Sequence, residues 1–408
     1  MPKIFLSYSH HDKDNVTLLA QQLKLHGMRL WRDVKDLTLG TQTPEQIRQI
    51  LATECQGCLL YLTPNSLKSD FVMKIELKEA MERLEADEKF ALIPLFHGVT
   101  IDEAGAAVPT YAGRDIANLH GILIPADATA GQIRNKFTEV AQRLLPNLLA
   151  KSRPGFATDP NRKLILDLHT RHYMYREPLP DLDLDWRPFI QSDDTIDSMV
   201  CAQMLWPALQ AVEKSVAEAL GPRRLLIRAS AHLSCGVALG FAFGATTRYQ
   251  LEIEQPIPGQ DTQLWSTINP QPAKSPLLTD SNEIDVSFDE VTLELSVSQP
   301  VTAVVDKWVD QRKKDGRRVR ARVAVKPPVG SISHKVSNSA EANAIAQQVA
   351  DELVKLQSNF QPGVVHLFMA VPLALAVLIG YRMNARGVIQ LYELRKSDQT
   401  YVPSFRLV

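Results

Sequence analysis

The sequence has few cysteines and almost no net charge, and each of these properties excludes some classes of protein. Four cysteines in 408 residues are too few for the disulfide framework of a small secreted domain. A formal net charge of −1 gives the chain as a whole no electrostatic attraction to nucleic acid or to an anionic membrane, so an anion site has to be a local arrangement of groups. We therefore expect neither polymeric nucleic acid nor a membrane among its partners.

Metal-binding and redox patterns are scarce as well. Cys55 and Cys58 have C-x-x-C spacing, but neither a second cysteine pair nor a histidine pair follows at zinc-finger distance. Cys58 also opens the apolar run CLLYL, which is typical of a buried strand. The pattern favours packed thiols over a metal or redox centre, and we predict no metal site.

The one long apolar run covers residues 364–380, VVHLFMAVPLALAVLIG. It has about the shortest length that spans a bilayer, and it contains His366 and Pro372 without a flanking aromatic belt. A buried strand followed by a helix entered at Pro372 explains the run better than a transmembrane helix does. Because no charged and then apolar leader opens the chain, we expect a cytoplasmic protein.

The first third of the chain alternates strand and helix signals, which predicts a parallel sheet flanked by helices. Apolar strands are predicted at 3–8, 28–31, 58–62 and 91–96, and an amphipathic helix at 130–149. Residues 150–161 lose this periodicity and contain two prolines and a glycine, which predicts a linker. We therefore place one domain at 1–149 and another at 162–408.

The second domain contains an internal repeat. Residues 225–251 align without a gap on residues 365–391, at the constant offset of 140 that separates Gly240 from Gly380. Each copy has the pattern of a strand, a helix and a second strand, which is a βαβ unit. We therefore expect a pseudo-twofold body with halves at approximately 162–300 and 301–408.

Three segments of the first domain carry a resemblance to a known family. In chain order they are FLSYSHHDKD (5–14), WRDVKDLTLG (31–40) and YLTPNSLKSDFVMKIE (61–76). They resemble the first strand and turn, the BB loop and the glutamate-bearing helix of a TIR domain. The resemblance implies an α/β fold of the flavodoxin-like type with a parallel sheet.

The second domain resembles a SAVED domain, which is similar to two fused CARF or Rossmann-like units. The segments that carry this resemblance are HLSCGVALGFAFG (232–244), Trp265 and VVHLFMAVPLALAVLIGYRMNARGVIQLYEL (364–394). Proteins that join TIR to SAVED are effectors of bacterial CBASS antiviral systems. The resemblance implies NAD as substrate and, as activator, a cyclic oligonucleotide second messenger, expected to be a cyclic trinucleotide or another small ring.

Bacterial TIR domains of this kind cleave the N-glycosidic bond between nicotinamide and ribose in NAD, through an oxocarbenium-like transition state. The leaving group departs neutral, so the site mainly has to supply negative charge near the ribose. The resemblance assigns this catalytic role to Glu76, with Phe71 in place of the family's aromatic residue. The family often separates the two by four residues whereas five separate them here, so Glu79, one turn further along, stays an alternative.

Further site residues are expected at the strand ends, where open parallel sheets bind their ligands. Tyr8 and Ser9 follow the first strand, and Trp31 and Asp33 lie at the end of the second, so we predict that they contact ribose, phosphate or a ring. The loop that resembles the BB loop is expected to contact a neighbouring TIR domain through three residues, Asp36, Leu37 and Gly40.

A cyclic oligonucleotide is bound by backbone N–H groups at helix N-termini, by cations and by flat stacking surfaces. Of the two equivalent strand-to-helix turns only the first carries polar side chains, His232 and Ser234, which predicts an asymmetric pocket. Trp265 offers a stacking surface, and Lys326 ends a strand at a predicted ligand loop. The alternating cations before Lys326 favour a solvated strand face; they are Arg318, Arg320 and Arg322.

Together these features predict an antiviral effector, an NAD glycohydrolase without a cofactor. Binding of the cyclic oligonucleotide would drive head-to-tail assembly into a homo-oligomer or filament. Two alternatives remain open: a non-enzymatic TIR adaptor controlled by nucleotide binding, and a nucleosidase that acts on another nucleotide. The sequence leaves open the activator's ring size, base order and linkage, and whether the product is linear or cyclic ADP-ribose.

Overall fold

The computed structural model describes residues 3–32, 43–87, 89–108, 115–159, 161–190, 195–257, 259–328, 331–383 and 387–408. The chain forms two compact units. The first comprises Met1–Pro160, Pro178–Leu184 and Lys214–Gly221, and the second comprises Asn161–Glu177, Asp185–Glu213 and Pro222–Val408.

The first unit contains a five-stranded parallel sheet in the order β2-β1-β3-β4-β5, with the strands β1 (Lys3–Ser7), β2 (Arg29–Arg32), β3 (Gly57–Leu62), β4 (Ala91–His97) and β5 (Ile122–Ile124). The central strand β3, GCLLYL, is buried along its whole length, as expected for a parallel strand covered on both faces. The helices are α1 (Lys13–Leu25), α2 (Thr43–Thr53), α3 (Leu77–Ala86), α4 (Ile101–Ala107) and α5 (Ala130–Thr158). The predicted flavodoxin-like parallel sheet is confirmed.

Helix α5 continues to Thr158, so most of the segment predicted as a linker is helical. The helix contains Pro146 and Pro154, and Phe156 beyond both prolines is buried. Burial of that ring offsets part of the free energy that an interior proline costs a helix. The domain boundaries at 149 and 162 stay a prediction.

The second unit contains two sheets. One has the neighbouring strands β10-β9-β8-β6, and the other has six strands in the order β11-β13-β12-β14-β15-β16. The remaining strands of the chain are β6 (Leu164–His169), β7 (Leu182–Asp185), β8 (Arg224–Ser230), β9 (Gln250–Gln255), β10 (Gln263–Ser266), β11 (Leu278–Glu283), β12 (Glu290–Ser296), β13 (Ala321–Lys326), β14 (Val364–Ala370), β15 (Val388–Arg395) and β16 (Thr400–Leu407). Residues 182–184 of β7 belong to the first unit. The remaining helices are α6 (Ser198–Val200), α7 (Trp206–Leu220), α8 (Leu233–Ala242), α9 (Thr302–Lys314), α10 (Ser339–Phe360) and α11 (Leu373–Arg382).

The internal repeat is confirmed at the level of single residues. Strand β8 and helix α8 occupy the same positions as β14 and α11 once 140 residues are added, from 224–230 to 364–370 and from 233–242 to 373–382. The two helices pack on each other through their glycines. A Cβ on Gly240 would lie 2.0 Å from the Val377 carbonyl oxygen, and a Cβ on Gly380 would lie 2.0 Å from the Val237 carbonyl oxygen. Since 377 is also 237 plus 140, the contact is symmetric, and the two copies are related by a pseudo-twofold axis.

Two smaller predictions, on the apolar run and on the packed thiols, are also confirmed. The apolar run at 364–380 forms the buried strand β14 and the start of helix α11, with Pro372 as the residue before the helix. In the described parts of the chain, no helix combines the length and apolar character needed to cross a membrane. All four cysteines are buried free thiols.

Candidate functional sites

The carboxylate of Glu76 lies at the carboxyl edge of the parallel sheet. Its side chain is 1% exposed, and its Oε2 accepts a hydrogen bond of 2.6 Å from the hydroxyl of Ser7, the last residue of β1. Ser7 pairs in register with Leu60 of the neighbouring strand β3, so its backbone position is fixed within the centre of the sheet. Ligands of open α/β sheets bind at this edge.

The backbone around Glu76 explains its spacing from Phe71. Residues Val72–Glu76 form a π-helical turn, in which the amide of Leu77 donates to the carbonyl of Val72, five residues earlier. In a π turn, residues five positions apart lie on the same side of the helix, as residues four positions apart do in an α-helix. Phe71, partly buried against the core, therefore precedes Glu76 by one turn despite the extra residue. Such π turns are frequent at functional sites.

The alternative carboxylate, Glu79, has a different environment. Arg48 donates to Glu79 Oε1 from Nε at 2.9 Å and from Nη2 at 2.8 Å. The hydrogen bonds and charge of Glu79 in turn raise the pKa of the exposed Arg48 guanidinium. This ion pair neutralises Glu79 and links helix α3 to helix α2. The geometry therefore favours Glu76 over Glu79 as the carboxylate that provides negative charge to a substrate.

The other residues predicted for the first site occupy varied positions. Trp31 is buried and stacks on Phe5 with ring centroids 4.8 Å apart, as a core residue does. Tyr8 and Ser9 are also buried. Because Ser7 faces Glu76 and side chains alternate along a strand, Tyr8 is expected to face the other side of the sheet. Their roles in binding stay predictions, and the remaining predicted residues lie outside the described part of the chain: Asp33, Asp36, Leu37 and Gly40.

In the second unit, the turn between β8 and α8 is occupied by other groups of the protein. His232 and Ser234 are 0% exposed. The backbone amide of His232 donates to Thr170 Oγ1 at 2.8 Å, and its ring Nδ1 lies 2.8 Å from the same oxygen. The amide of Ser234 donates to Glu393 Oε1 at 2.7 Å, so a carboxylate from β15 occupies the N-terminus of α8. Protein groups therefore occupy the backbone amides of this turn, and a ligand-binding role for His232 and Ser234 stays a prediction.

The equivalent turn of the second copy borders a cavity. The amide of Ala374 donates to the neutral amide oxygen of Gln255 at 3.2 Å, and Pro372 lines a cavity of about 280 Å³ beside it. Trp265, which is otherwise buried, forms part of the wall. Among the described lining residues none is acidic, and the polar ones are Gln255, Ser298, Ser333, His334 and Lys335.

Lys326 and the cations before it are paired with carboxylates. Lys326, with 44% of its side chain exposed, forms an ion pair with Asp280. Arg322 donates to both oxygens of Glu294, at 2.7 and 3.0 Å, and to Asp306 at 2.6 Å. The remaining pairs are Arg320 with Glu283 and Arg318 with Asp285. This strand is therefore a salt-bridged face, and a ligand-binding role for Lys326 stays a prediction.

Sequence reasoning missed three residues that the structure brings to these sites. Ser7 was passed over for its neighbours Tyr8 and Ser9, although period-two alternation was a signal that could have selected it. Gln255 and Lys335 both lie between the two aligned copies of the repeat, outside the alignment, and belong to no motif. Only the fold places them beside Pro372.

The two units thus define an α/β protein with a carboxylate at the edge of one parallel sheet and a duplicated βαβ body that borders a cavity. Residues 4–132 match the TIR domain family, and residues 208–407 match SAVED, the SMODS-associated and fused to various effectors sensor domain. The chain therefore carries an N-terminal TIR domain and a C-terminal SAVED domain.

Two curated relatives each match part of the chain. CD-NTase-associated protein 4 of Acinetobacter sp. (strain ATCC 27244 / 9458) is 23% identical over 45% of this chain. NAD(+) hydrolase TcpA of Theionarchaea archaeon (strain DG-70-1) is 29% identical over 27% of this chain. The chain spans only 37% and 33% of the length of these two relatives.

Among solved structures, the Acinetobacter baumannii Cap4 SAVED/CARF-domain containing receptor has a similar fold. With the cyclic trinucleotide 3'3'3'-cAAA it aligns at a TM-score of 0.52 and 16% identity, over 97% of both chains. With 2'3'3'-cAAA the TM-score is 0.51 at 16% identity, also over 97% of both chains. At this identity the similarity shows the fold alone.

Proposed function

We propose that this protein is an antiviral effector that cleaves NAD to nicotinamide and ADP-ribose, in linear or cyclic form, when a cyclic oligonucleotide binds its SAVED domain. The observation that supports the reaction best is the position of Glu76. Its carboxylate is buried at the ligand edge of the sheet, accepts a hydrogen bond from Ser7, and follows the partly buried Phe71 by one π turn. TcpA, a relative of this chain, is an NAD(+) hydrolase by name.

In the proposed reaction the bond between the nicotinamide nitrogen and ribose C1 breaks, and its electron pair leaves with nicotinamide. The leaving group becomes neutral, so no proton has to be supplied to it. Positive charge develops on the ribose, and the Glu76 carboxylate stabilises that charge from close range. Water then adds to C1 and releases a proton to solvent, which gives the linear product, or an atom of the ADP-ribose itself adds to C1 in its place, which gives the cyclic product. Phe71 offers a flat surface for the nicotinamide ring.

The cavity beside Pro372 is our candidate for the activator site. Its described lining is neutral or basic, and Lys335 is exposed at its rim, which suits a phosphate-bearing ligand. A volume of about 280 Å³ lies just below the ~300–1,000 Å³ of typical ligand pockets. We infer that it holds one nucleotide of a ring such as a cyclic trinucleotide, with Trp265 as a wall for the base. The similarly folded receptor was solved with two such rings.

Activation requires a state that the empty protein rarely visits, because unrestrained cleavage would exhaust NAD. We propose that ligand binding drives head-to-tail assembly of SAVED domains, so that a neighbour's BB-like loop completes the site at Glu76. A head-to-tail contact that does not close into a ring extends into a filament. NAD cleavage should then rise together with light scattering as protein concentration increases. Cleavage by protein whose scattering stays at the monomer level would rule out this part.

The test is nicotinamide release by the full chain with cyclic di-, tri- and tetraadenylate in turn. We expect release with one ring size and almost none without ligand. Glu76→Gln should lower the rate at least a hundredfold, because the carboxylate charge is lost while the shape is kept. Glu79→Gln is the matched control, because it makes the same change in a nearby carboxylate that is already paired with Arg48. We expect this variant to retain most of the activity.

The outcomes separate the alternatives. Full activity in the Glu76→Gln variant would contradict the catalytic assignment. Ligand-driven assembly without loss of NAD would indicate a non-enzymatic adaptor. Chromatography of the products from NAD and from other nucleotides would identify a nucleosidase with another substrate.

A further inference from the structure

We infer that Ser7 is a positioning residue for NAD cleavage, acting through the hydrogen bond that its hydroxyl donates to Glu76. This inference rests on the proposed function, since it assigns a task to Ser7 only if the Glu76 carboxylate stabilises the ribose cation.

The geometry of the contact is that of a charge-assisted hydrogen bond. The distance between Ser7 Oγ and Glu76 Oε2 is 2.6 Å, within the roughly 2.5–2.7 Å of hydroxyl donors to carboxylates. Both side chains are buried, with Ser7 at 0% exposed and Glu76 at 1%. A hydroxyl in this position fixes one carboxylate oxygen relative to strand β1 and directs the other according to the planar geometry of the group.

The surroundings of Glu76 make this donor important. Cys58 lies close by in the apolar core, and burial, together with the nearby charge of Glu76, raises the pKa of the Cys58 thiol. A carboxylate beside apolar groups depends on its hydrogen-bond donors to stay ionised. Removal of one donor from a buried charged group destabilises the charged form relative to the neutral form. Loss of the Ser7 hydroxyl should therefore favour the protonated, uncharged acid, which provides no stabilisation to a developing cation.

The decisive readout is the pH dependence of cleavage, which a merely structural role would not change. In Ser7→Ala we expect the acidic side of the pH–rate profile to move up by about one pH unit, so that kcat on that acidic side is about tenfold lower than in the wild type. KM for NAD should change little, because Ser7 is buried beneath the carboxylate. The loss should shrink at alkaline pH, where the acid ionises even without the donor. Ser7→Cys replaces the hydroxyl by a somewhat larger thiol, which is only a weak donor, and should show the same shift. It provides an independent test if the alanine variant folds poorly.

The matched control is Ser66→Ala. Ser66 is another fully buried serine of this unit, but its hydroxyl accepts from the Thr63 amide at 2.7 Å and donates to the Thr63 carbonyl at 3.0 Å. This variant should lose stability without a shift of the pH profile. The assays use the full chain with 3'3'3'-cAAA as the probe and the other rings of the panel where that one fails to activate.

Each outcome decides one question. Wild-type pH profiles in both Ser7→Ala and Ser7→Cys, beside an inactive Glu76→Gln, would overturn the inference and leave the proposed function intact. Full activity of Glu76→Gln would overturn the proposed function, and the inference with it. A wild-type protein that cleaves no NAD with any ring would also overturn both.

Discussion

The two copies of the βαβ unit in the SAVED domain have the same backbone but differ at one decisive point. Their helices α8 and α11 meet through the symmetric contacts of Gly240 and Gly380. At the N-terminus of α8, however, the capping atom belongs to a carboxylate, that of Glu393, whereas at α11 it belongs to the neutral amide of Gln255. A duplicated fold has therefore acquired two ends of different charge.

This difference teaches which end suits an anionic ligand. A helix N-terminus carries a partial positive charge, which the carboxylate of Glu393 already offsets at α8. Gln255 satisfies one amide of α11 without adding negative charge, and the cavity next to it has no acidic group among its described lining residues. The polar residues His232 and Ser234 predict a ligand at the first turn instead, and the sequence does not show what caps each helix.

The largest effect is expected from breaking the symmetric contact itself. In Gly240→Ala and Gly380→Ala the new Cβ would lie 2.0 Å from a carbonyl oxygen of the facing helix, so the helices have to separate. Overpacking costs about 1–3 kcal/mol, and we expect the upper end of that range, about 3 kcal/mol, because the obstructing atom is backbone. Each variant should lose that much free energy of unfolding in urea, and the two losses should be similar. Gly131→Ala is the control, with no atom within 4 Å of the added Cβ; a small loss in only one of the paired variants would contradict the symmetry.

A medium effect is expected from making the two ends alike in charge. Gln255→Glu keeps an acceptor for the Ala374 amide but places a negative charge beside the cavity. We expect 3'3'3'-cAAA to bind about three- to tenfold more weakly, and the loss to shrink at high salt. Isothermal titration measures this, with Gln271→Glu, an exposed loop residue with the same charge change, as the control. Unchanged affinity would place the ligand elsewhere.

The smallest effect is expected from the opposite exchange, Glu393→Gln. Burial raises the pKa of Glu393 above its usual range, against the opposing effects of Ser234 and Arg171. A raised pKa means that the folded state binds more protons than the unfolded state, so wild-type stability should fall as pH rises from about 4.5 towards the raised value. The variant keeps the hydrogen bond to Ser234 and should lack this decline. Chemical denaturation at several pH values measures it, and parallel curves for both proteins would contradict the assignment.

Much of the fold follows from local features of the sequence. Apolar strands and the 140-residue offset are visible in the chain itself, and they predicted the parallel sheet and the duplicated body. The helix through Pro154 was not predicted, because the proline and glycine signals of 150–161 are outweighed by packing of Phe156. Strand β5 has only three residues, too few for a periodic signal.

The sites depended more on contacts between distant residues. Glu76 was predicted from the TIR resemblance, but the π turn that accommodates its spacing is a property of the folded helix. Its partner Ser7 lies 69 residues away in sequence, and the carboxylate that closes the Ser234 turn lies 159 residues away. Such pairings cannot be read from residue types and spacing along one strand or helix.

The most direct test of the central claim is nicotinamide release from NAD by the wild-type chain and by Glu76→Gln, each with and without a cyclic trinucleotide. We predict rapid release only from the wild type with ligand. Equal release with and without ligand, or undiminished release from Glu76→Gln, would contradict the account.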